Sequence, residues 1–222
     1  MIRAGRVEVD RRVVTELGTR VDPLKQEIRL DAVVLPRPKL VYYAVNKPDG
    51  VISTNRDPAG RPRVIDLLPS NNMRMFPVGR LDVHSEGLIL LTNDGELANR
   101  LTHPRYGVEK VYRVMVAGHP TRDVIGKLRR GIHLAEGLAR ATRIRVKARY
   151  KKSTIMEIVL TEGQNREIRR AMARVGHKVL RLVRIAIGPI RLAKLPSGGY
   201  RRLSRAEVAA LRNAVKTSED RQ

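Results

Sequence analysis

The first forty residues alternate apolar and polar positions over very short stretches. Arg6-Val7-Glu8-Val9 predicts a strand, Asp10-Arg11 a turn and Arg12-Val13-Val14 a second strand. Asp22-Pro23 opens another turn, and Glu27-Ile28-Arg29-Leu30 predicts a further short strand. Residues 32–40, with Pro36 and Pro38, read as a linker. From residue 40 the elements lengthen. The pattern predicts strands over 40–45, 87–92, 108–117, 138–148, 154–161 and 178–187. It predicts helices over 96–101, 122–130 (closed by Gly131), 166–175 (capped by Asn165, closed by Gly176) and from 205 to about 215, capped by Ser204. The strands over 138–148 and 154–161 are expected to pair antiparallel. The fold class is α+β: a mixed, mainly antiparallel sheet flanked by helices and loops. The domains are 1–31, too short to fold alone without a staple, a linker 32–40, a main unit 41–211 and a polar tail 212–222.

Charge changes the picture most. The chain has 45 Lys+Arg against 22 Asp+Glu, a formal net charge of +23 in 222 residues. Residues 1–40 carry net +3 and residues 41–100 net zero, while 101–160 and 161–222 carry +10 each. Such a surplus points to a polyanion, nucleic acid first. An anionic membrane is the rival, but membrane anchors concentrate charge in one block or one amphipathic helix, and here arginines interleave with apolar positions. With no cysteine, disulfides, zinc fingers and thiol nucleophiles are excluded. There is no run of 18 apolar residues for a membrane helix, and MIRAGRVEVD lacks the apolar segment of a secretory signal. The cytoplasm is the expected location. Trp is absent and Phe occurs once, so base stacking falls to six tyrosines or to arginine planes.

One segment carries chemistry. Asp82 lies in a loop between Gly79 and a strongly apolar strand, with Arg80 two residues before it. Taken alone, it is more simply a turn aspartate. Glu86, four residues on, raises a glycosidase-like carboxylate pair, though loop solvation explains it better. The five histidines stand at no metal-ligand spacing, so no metal is expected. Ile168, Ala171, Met172 and Val175 form an apolar helix face, Arg166, Arg170 and Arg174 an outward basic stripe, and Arg169 the border between them. Arg140, Arg143, Arg145, Lys147 and Arg149 mostly alternate, which predicts a row of charge along one sheet face as an RNA track.

Gly79-Arg80-Leu81-Asp82, Ser85, Gly87, four aliphatics and Thr92-Asn93 resemble the signature of the RsuA/RluB-type pseudouridine synthases. Asn46-Lys47-Pro48-Asp49-Gly50 resembles that family's first motif, Lys110-Val111-Tyr112 its Lys-x-Tyr strand, and Glu162-Gly163-Gln164-Asn165-Arg166-Glu167-Ile168-Arg169-Arg170 its last, all in family order. The chain departs at Gln164, where the family pattern has arginine, and near Glu167, where it has Gln or His-Gln. Residues 2–10 resemble the second half of an alpha-L, S-four-type RNA-binding domain without its preceding helical part, so either the natural start lies upstream of Met1, the preferred reading, or the domain is shortened.

The resemblance implies isomerisation of a uridine in rRNA to pseudouridine without cofactor or metal. Asp82 acts as nucleophile, charge stabiliser or base, Tyr112 packs on the base, and Arg169 partners Asp82. It implies RNA contacts from Arg80, Lys47, Lys110, Asn165, Arg166, Arg170 and Arg174, and charge adds Arg143 and Arg145. Asn165-Arg166 resembles the large-subunit rRNA branch more than the small-subunit branch. The partner is then rRNA, within a ribosome-assembly particle, bound by a monomer and not by a membrane. The alternative is a non-catalytic RNA-binding ribosome-assembly protein on the same fold.

Overall fold

A computed structural model describes residues 1–23, 25–36, 39–69 and 73–219, in two compact units, Met1–Leu40 and Val41–Gln222. Residues 37 and 38 of the expected linker and 220–222 of the expected tail lie outside the described residues.

In the first unit, β1 (Val7–Val9), β2 (Arg12–Val13), β3 (Ile28–Leu30) and β4 (Val33–Val34) form an antiparallel sheet in the order β2-β1-β3-β4. Two-residue turns join β1 to β2 and β3 to β4. Asp10, Arg11, Asp31 and Ala32 all have positive φ, between 50° and 66°, as turns matched to strand twist require. Residues 33 and 34 are therefore strand, a correction to the expected linker: Val33 pairs with Leu30 across the turn. Val9 is the buried apolar residue of this sheet.

The second unit is built on one mixed sheet. Its elements in chain order are β5 (Tyr42–Lys47), β6 (Phe76–Val78), β7 (Glu86–Thr92), α1 (Gly95–Thr102), β8 (Lys110–Ala117), α2 (Arg122–Arg130), β9 (Ile132–Leu134), β10 (Gly137–Ala139), β11 (Arg143–Tyr150), β12 (Ser153–Leu160), α3 (Glu167–Arg174), β13 (Val179–Ile187), β14 (Ile190–Arg191), β15 (Tyr200–Arg202) and α4 (Arg205–Glu219). The strand order is β11-β12-β8-β13-β7-β5-β15, with β6 on β7 and β14 on β13. The pairing of β13 with β7 is parallel and the others are antiparallel.

The unbroken apolar run Leu88–Leu91 of β7 is explained by two-sided burial. Ile89 and Leu91 face a core shared with α2 and α3 through Leu128, Ile168, Ala171 and Met172. Leu88 and Leu90 face a second core shared with α1 and α4 through Leu97, Leu101, Leu211 and Val215. Gly87 allows β7 to meet β13. Its φ is 102°, and a Cβ there would sit 2.3 Å from the Arg184 carbonyl oxygen.

Three further departures from expectation bear on the main unit. The strand expected over 138–148 is two: Leu138 and Ala139 pair with β9, and β11 starts at Arg143. Asn165 does not cap α3. Arg166 takes that place with φ 48°, and the Glu167 carboxylate accepts the Gln164 N–H at 2.9 Å. Residues 212–219 are helix rather than tail, because Val215, one turn beyond Leu211, is buried in the second core, and Arg212 donates to Asp94 at 3.0 Å.

Candidate active site

Asp82 sits in the loop joining β6 to β7, and that loop is held at every carbonyl from residue 80 to 84. Arg80 O accepts from Arg184 Nη1 at 3.3 Å, and Leu81 O from Ser53 Oγ at 3.1 Å. Asp82 O accepts the Ser85 N–H at 3.0 Å. Val83 O accepts from Gly50 N at 3.0 Å and from Lys47 Nζ at 3.1 Å. His84 O accepts from Arg169 Nη2. A loop with its backbone acceptors satisfied by fixed groups has little freedom to drift, so the Asp82 carboxylate is presented in one place. Ser85 Oγ approaches that carboxylate at 3.4 Å.

Three of these donors are cations acting on backbone. Lys47 has no exposed surface, and its ammonium donates to Pro48 O (2.8 Å), Val51 O (2.6 Å) and Val83 O (3.1 Å). This corrects the expectation that Lys47 contacts RNA: its three donors are used inside the fold. Burial pushes its pKa down to about 8, opposed by Asp49, Glu86 and Asp82. Arg169 donates to Val179 O and His84 O and not to the Asp82 carboxylate, so it steers the aspartate through the loop backbone and through charge. Its Nε is buried without a partner. Arg184, unremarked in the sequence, also donates from Nε to Leu88 O at 2.7 Å.

A cavity of about 490 Å³ opens over the loop, lined among others by Ser53, Arg61, Arg80, Asp82, Asn165 and Arg166. A recess of about 70 Å³ beside it brings together Asp82, Ser85, Tyr112, Gln164 and Ile168. The structure thus gathers Asp82, Tyr112, Arg80 and Arg166 around one space, with Asn165 at its mouth. Tyr112 is 8% exposed and faces this side of the sheet.

Other candidates lie elsewhere. Tyr112 is in register with Ile158, and Ile158 with Ile144. Side chains alternate along strands, so Arg143 and Arg145 project from the opposite sheet face. There Arg143 is 3.8 Å from Glu109, and Glu157 is 3.8 Å from Lys147 and 4.0 Å from Arg113. The expected track therefore does not line the pocket. Arg170 pairs with Glu136, while Arg174 is exposed. Glu86 is neither solvating a loop nor paired with Asp82. Arg181 grips it through two bonds of 2.8 Å, which lowers its pKa. Lys110 is half-buried and donates to Thr161 O at 3.1 Å. Among the described residues no cluster of His, Asp or Glu is arranged to hold a metal, and no helix is long and apolar enough to cross a membrane.

Sequence reasoning missed the bracing roles of Ser53 and Arg184. Ser53 gave no signal. Arg184 did: it is a charge set among Leu182, Val183, Ile185 and Ala186 in a mainly apolar strand, and such a residue is retained in a core only with partners.

Comparison with known proteins agrees with this geometry. The family described as RNA pseudouridylate synthase matches residues 41–174. An uncharacterised RNA pseudouridine synthase of Aquifex aeolicus is 41% identical over 216 residues, covering 97% of this chain and 87% of that protein. The ribosomal large subunit pseudouridine synthase B of Bacillus subtilis is 39% identical over 214 residues, covering 96% of this chain and 87% of that protein. A crystal structure of a pseudouridylate synthase superposes with a TM-score of 0.70 at 26% identity, over 95% of this chain and 90% of that one.

Proposed function

The chain belongs to the RNA pseudouridylate synthase family, and from that premise we propose that it isomerises one uridine of large-subunit ribosomal RNA, with Asp82 performing the chemistry. The observation that carries the residue assignment is the loop whose five successive carbonyls are held while its aspartate shares one recess with Tyr112. The large-subunit reading rests on relatives with that name.

The reaction balances within the substrate. The bond from uracil N1 to ribose C1′ breaks, a bond from C5 to C1′ forms, C5 loses a proton and N1 gains one. Nothing is oxidised and no group enters, so no cofactor is required. A fixed carboxylate serves this either by attacking the sugar or by taking a proton in an elimination, and it stabilises positive charge developing at C1′. Tyr112 offers a flat, buried face against which a detached uracil turns without leaving. A uridine within stacked RNA is unreachable, so it is extruded into the recess. Arg80 and Arg166 at the mouth take the backbone. Residues 1–31 we read as part of an S-four-type RNA-binding domain, and the protein as a cytoplasmic monomer. The test is pseudouridine mapping of rRNA with and without the protein. A new modification in the large subunit is expected. None in any rRNA would favour a non-catalytic assembly protein.

A further inference from the structure

Beside the Asp82 recess lies a second cavity of about 210 Å³, which shares Tyr112, Arg80 and Gln164 with the recess but is not lined by Asp82. Besides Arg80, two less exposed cations line it, Lys110 and Arg184. Lys110 stands two positions before Tyr112 on β8 and so points to the same sheet face. Its ammonium has three donors, of which one goes to Thr161 O at 3.1 Å. Arg184 is 4% exposed, and its Nη2 is buried with no hydrogen-bond partner, although Nε and Nη1 donate to Leu88 O and Arg80 O. Among the described residues neither cation is within ion-pair distance of a carboxylate.

Two desolvated positive charges facing one cavity, with the exposed Glu162 on its wall but not in ion-pair contact with either, gain from an anion that joins them. We propose that Lys110 and Arg184 form a phosphate subsite whose occupant is a backbone phosphodiester of the substrate RNA next to the extruded uridine. The subsite rests on reading the Asp82 recess as the uridine pocket. A phosphodiester supplies one negative charge and acceptor oxygens for the open Lys110 donors, while Arg184 contributes charge and ties that charge to the catalytic loop through Arg80 O. An anion here borders the base recess, with Tyr112 and Arg80 lining both spaces.

The protonation of Lys110 agrees with this. Burial lowers its pKa to about 8, the Arg184 charge lowers it further, and Glu167 and Glu162 oppose the shift. The remaining charged groups lining this cavity are Arg80 and Glu162, both exposed. An incoming phosphate raises the Lys110 pKa, so RNA binding takes up a proton near pH 8 and weakens as pH climbs above it.

The test uses the full chain, large-subunit rRNA transcripts and inorganic phosphate as probes, and compares wild type, Lys110→Met and Lys110→Arg. Lys110→Met is expected to raise KM about tenfold, with kcat within about twofold. It is expected to reduce the slope of log affinity against log salt by about one. Lys110→Arg should restore both and remove the rise of KM above pH 8. An unchanged KM and slope in Lys110→Met would overturn the proposal, as would loss confined to kcat. Inorganic phosphate that competes at millimolar levels against wild type, with the RNA salt slope unaltered by Lys110→Met, would assign the site to free phosphate and overturn the RNA occupant. Wild type that forms no pseudouridine but keeps the Lys110-dependent slope would remove the catalytic reading and leave the subsite.

Discussion

Replacing Lys47 by methionine separates a bracing lysine from an RNA-binding one. The substitution keeps the buried stem and removes the ammonium that holds Pro48 O, Val51 O and Val83 O. Three charge-assisted bonds at about 1.5–3 kcal/mol each represent a loss of roughly 4.5–9 kcal/mol. Relief from burying the charge offsets roughly 3 kcal/mol of this, since the pKa falls from 10.5 to about 8. The net expectation is a destabilisation of about 2–6 kcal/mol, a large part of the ~5–15 kcal/mol that keeps a domain folded. Val83 O keeps the Gly50 N–H at 3.0 Å, so the loop loosens without unravelling. Urea unfolding should show a lower midpoint at unchanged m-value. In folded enzyme kcat should fall at least about tenfold, and the salt dependence of RNA binding should not change. A stability change below about 0.5 kcal/mol, or a salt slope reduced by about one, would refute the bracing role.

Three further outcomes are expected. Gly87→Ala should cost about 3 kcal/mol or more, because its Cβ meets the Arg184 backbone at 2.3 Å and φ is 102°; near-normal thermal stability would contradict this packing. The double replacement of Arg143 and Arg145 by alanine should leave KM within about twofold on a short rRNA stem-loop, since both project away from Tyr112; a tenfold rise would place RNA on that face. The kcat should fall above pH 8 as Lys47 loses its proton, without loss of stability. The native Lys47 pKa is lowered, so between pH 8 and 10.5 the unfolded chain binds more protons and this group's contribution to stability rises with pH. A kcat limb that persists in Lys47→Met would assign the titration elsewhere.

The long elements were legible because apolar periodicity is strong where burial is two-sided. The strand around Leu88–Leu91 and the apolar face of Ile168, Ala171 and Met172 lie inside the observed β7 and α3. Asp82 and Tyr112 were legible through the resemblance of their motifs to the family's, and the structure brings them to one recess. The misses share a cause, in that each depended on which way a side chain points after distant strands pair. Arg143 and Arg145 do share one sheet face as expected, and only the register through Ile158 to Tyr112 shows that it is the face away from the recess. The RNA contact expected of Lys47 fails because the Val51 and Val83 carbonyls fold over its ammonium. Arg169 borders two faces as its spacing implies, yet the nearest acceptor it meets is a carbonyl of the aspartate loop. The short strands β9 and β15, of three residues each, carry too few positions for a period.

The central claim is that Asp82, fixed by its loop, performs the isomerisation. Pseudouridine formation by Asp82→Asn on a large-subunit rRNA transcript, with RNA affinity measured on the same preparation, tests it most directly. The expected result is no detectable product and an affinity within about threefold of wild type, because the amide keeps the shape of the side chain while losing its charge. Substantial turnover by Asp82→Asn, or loss of product explained by an equal loss of binding, would contradict the account.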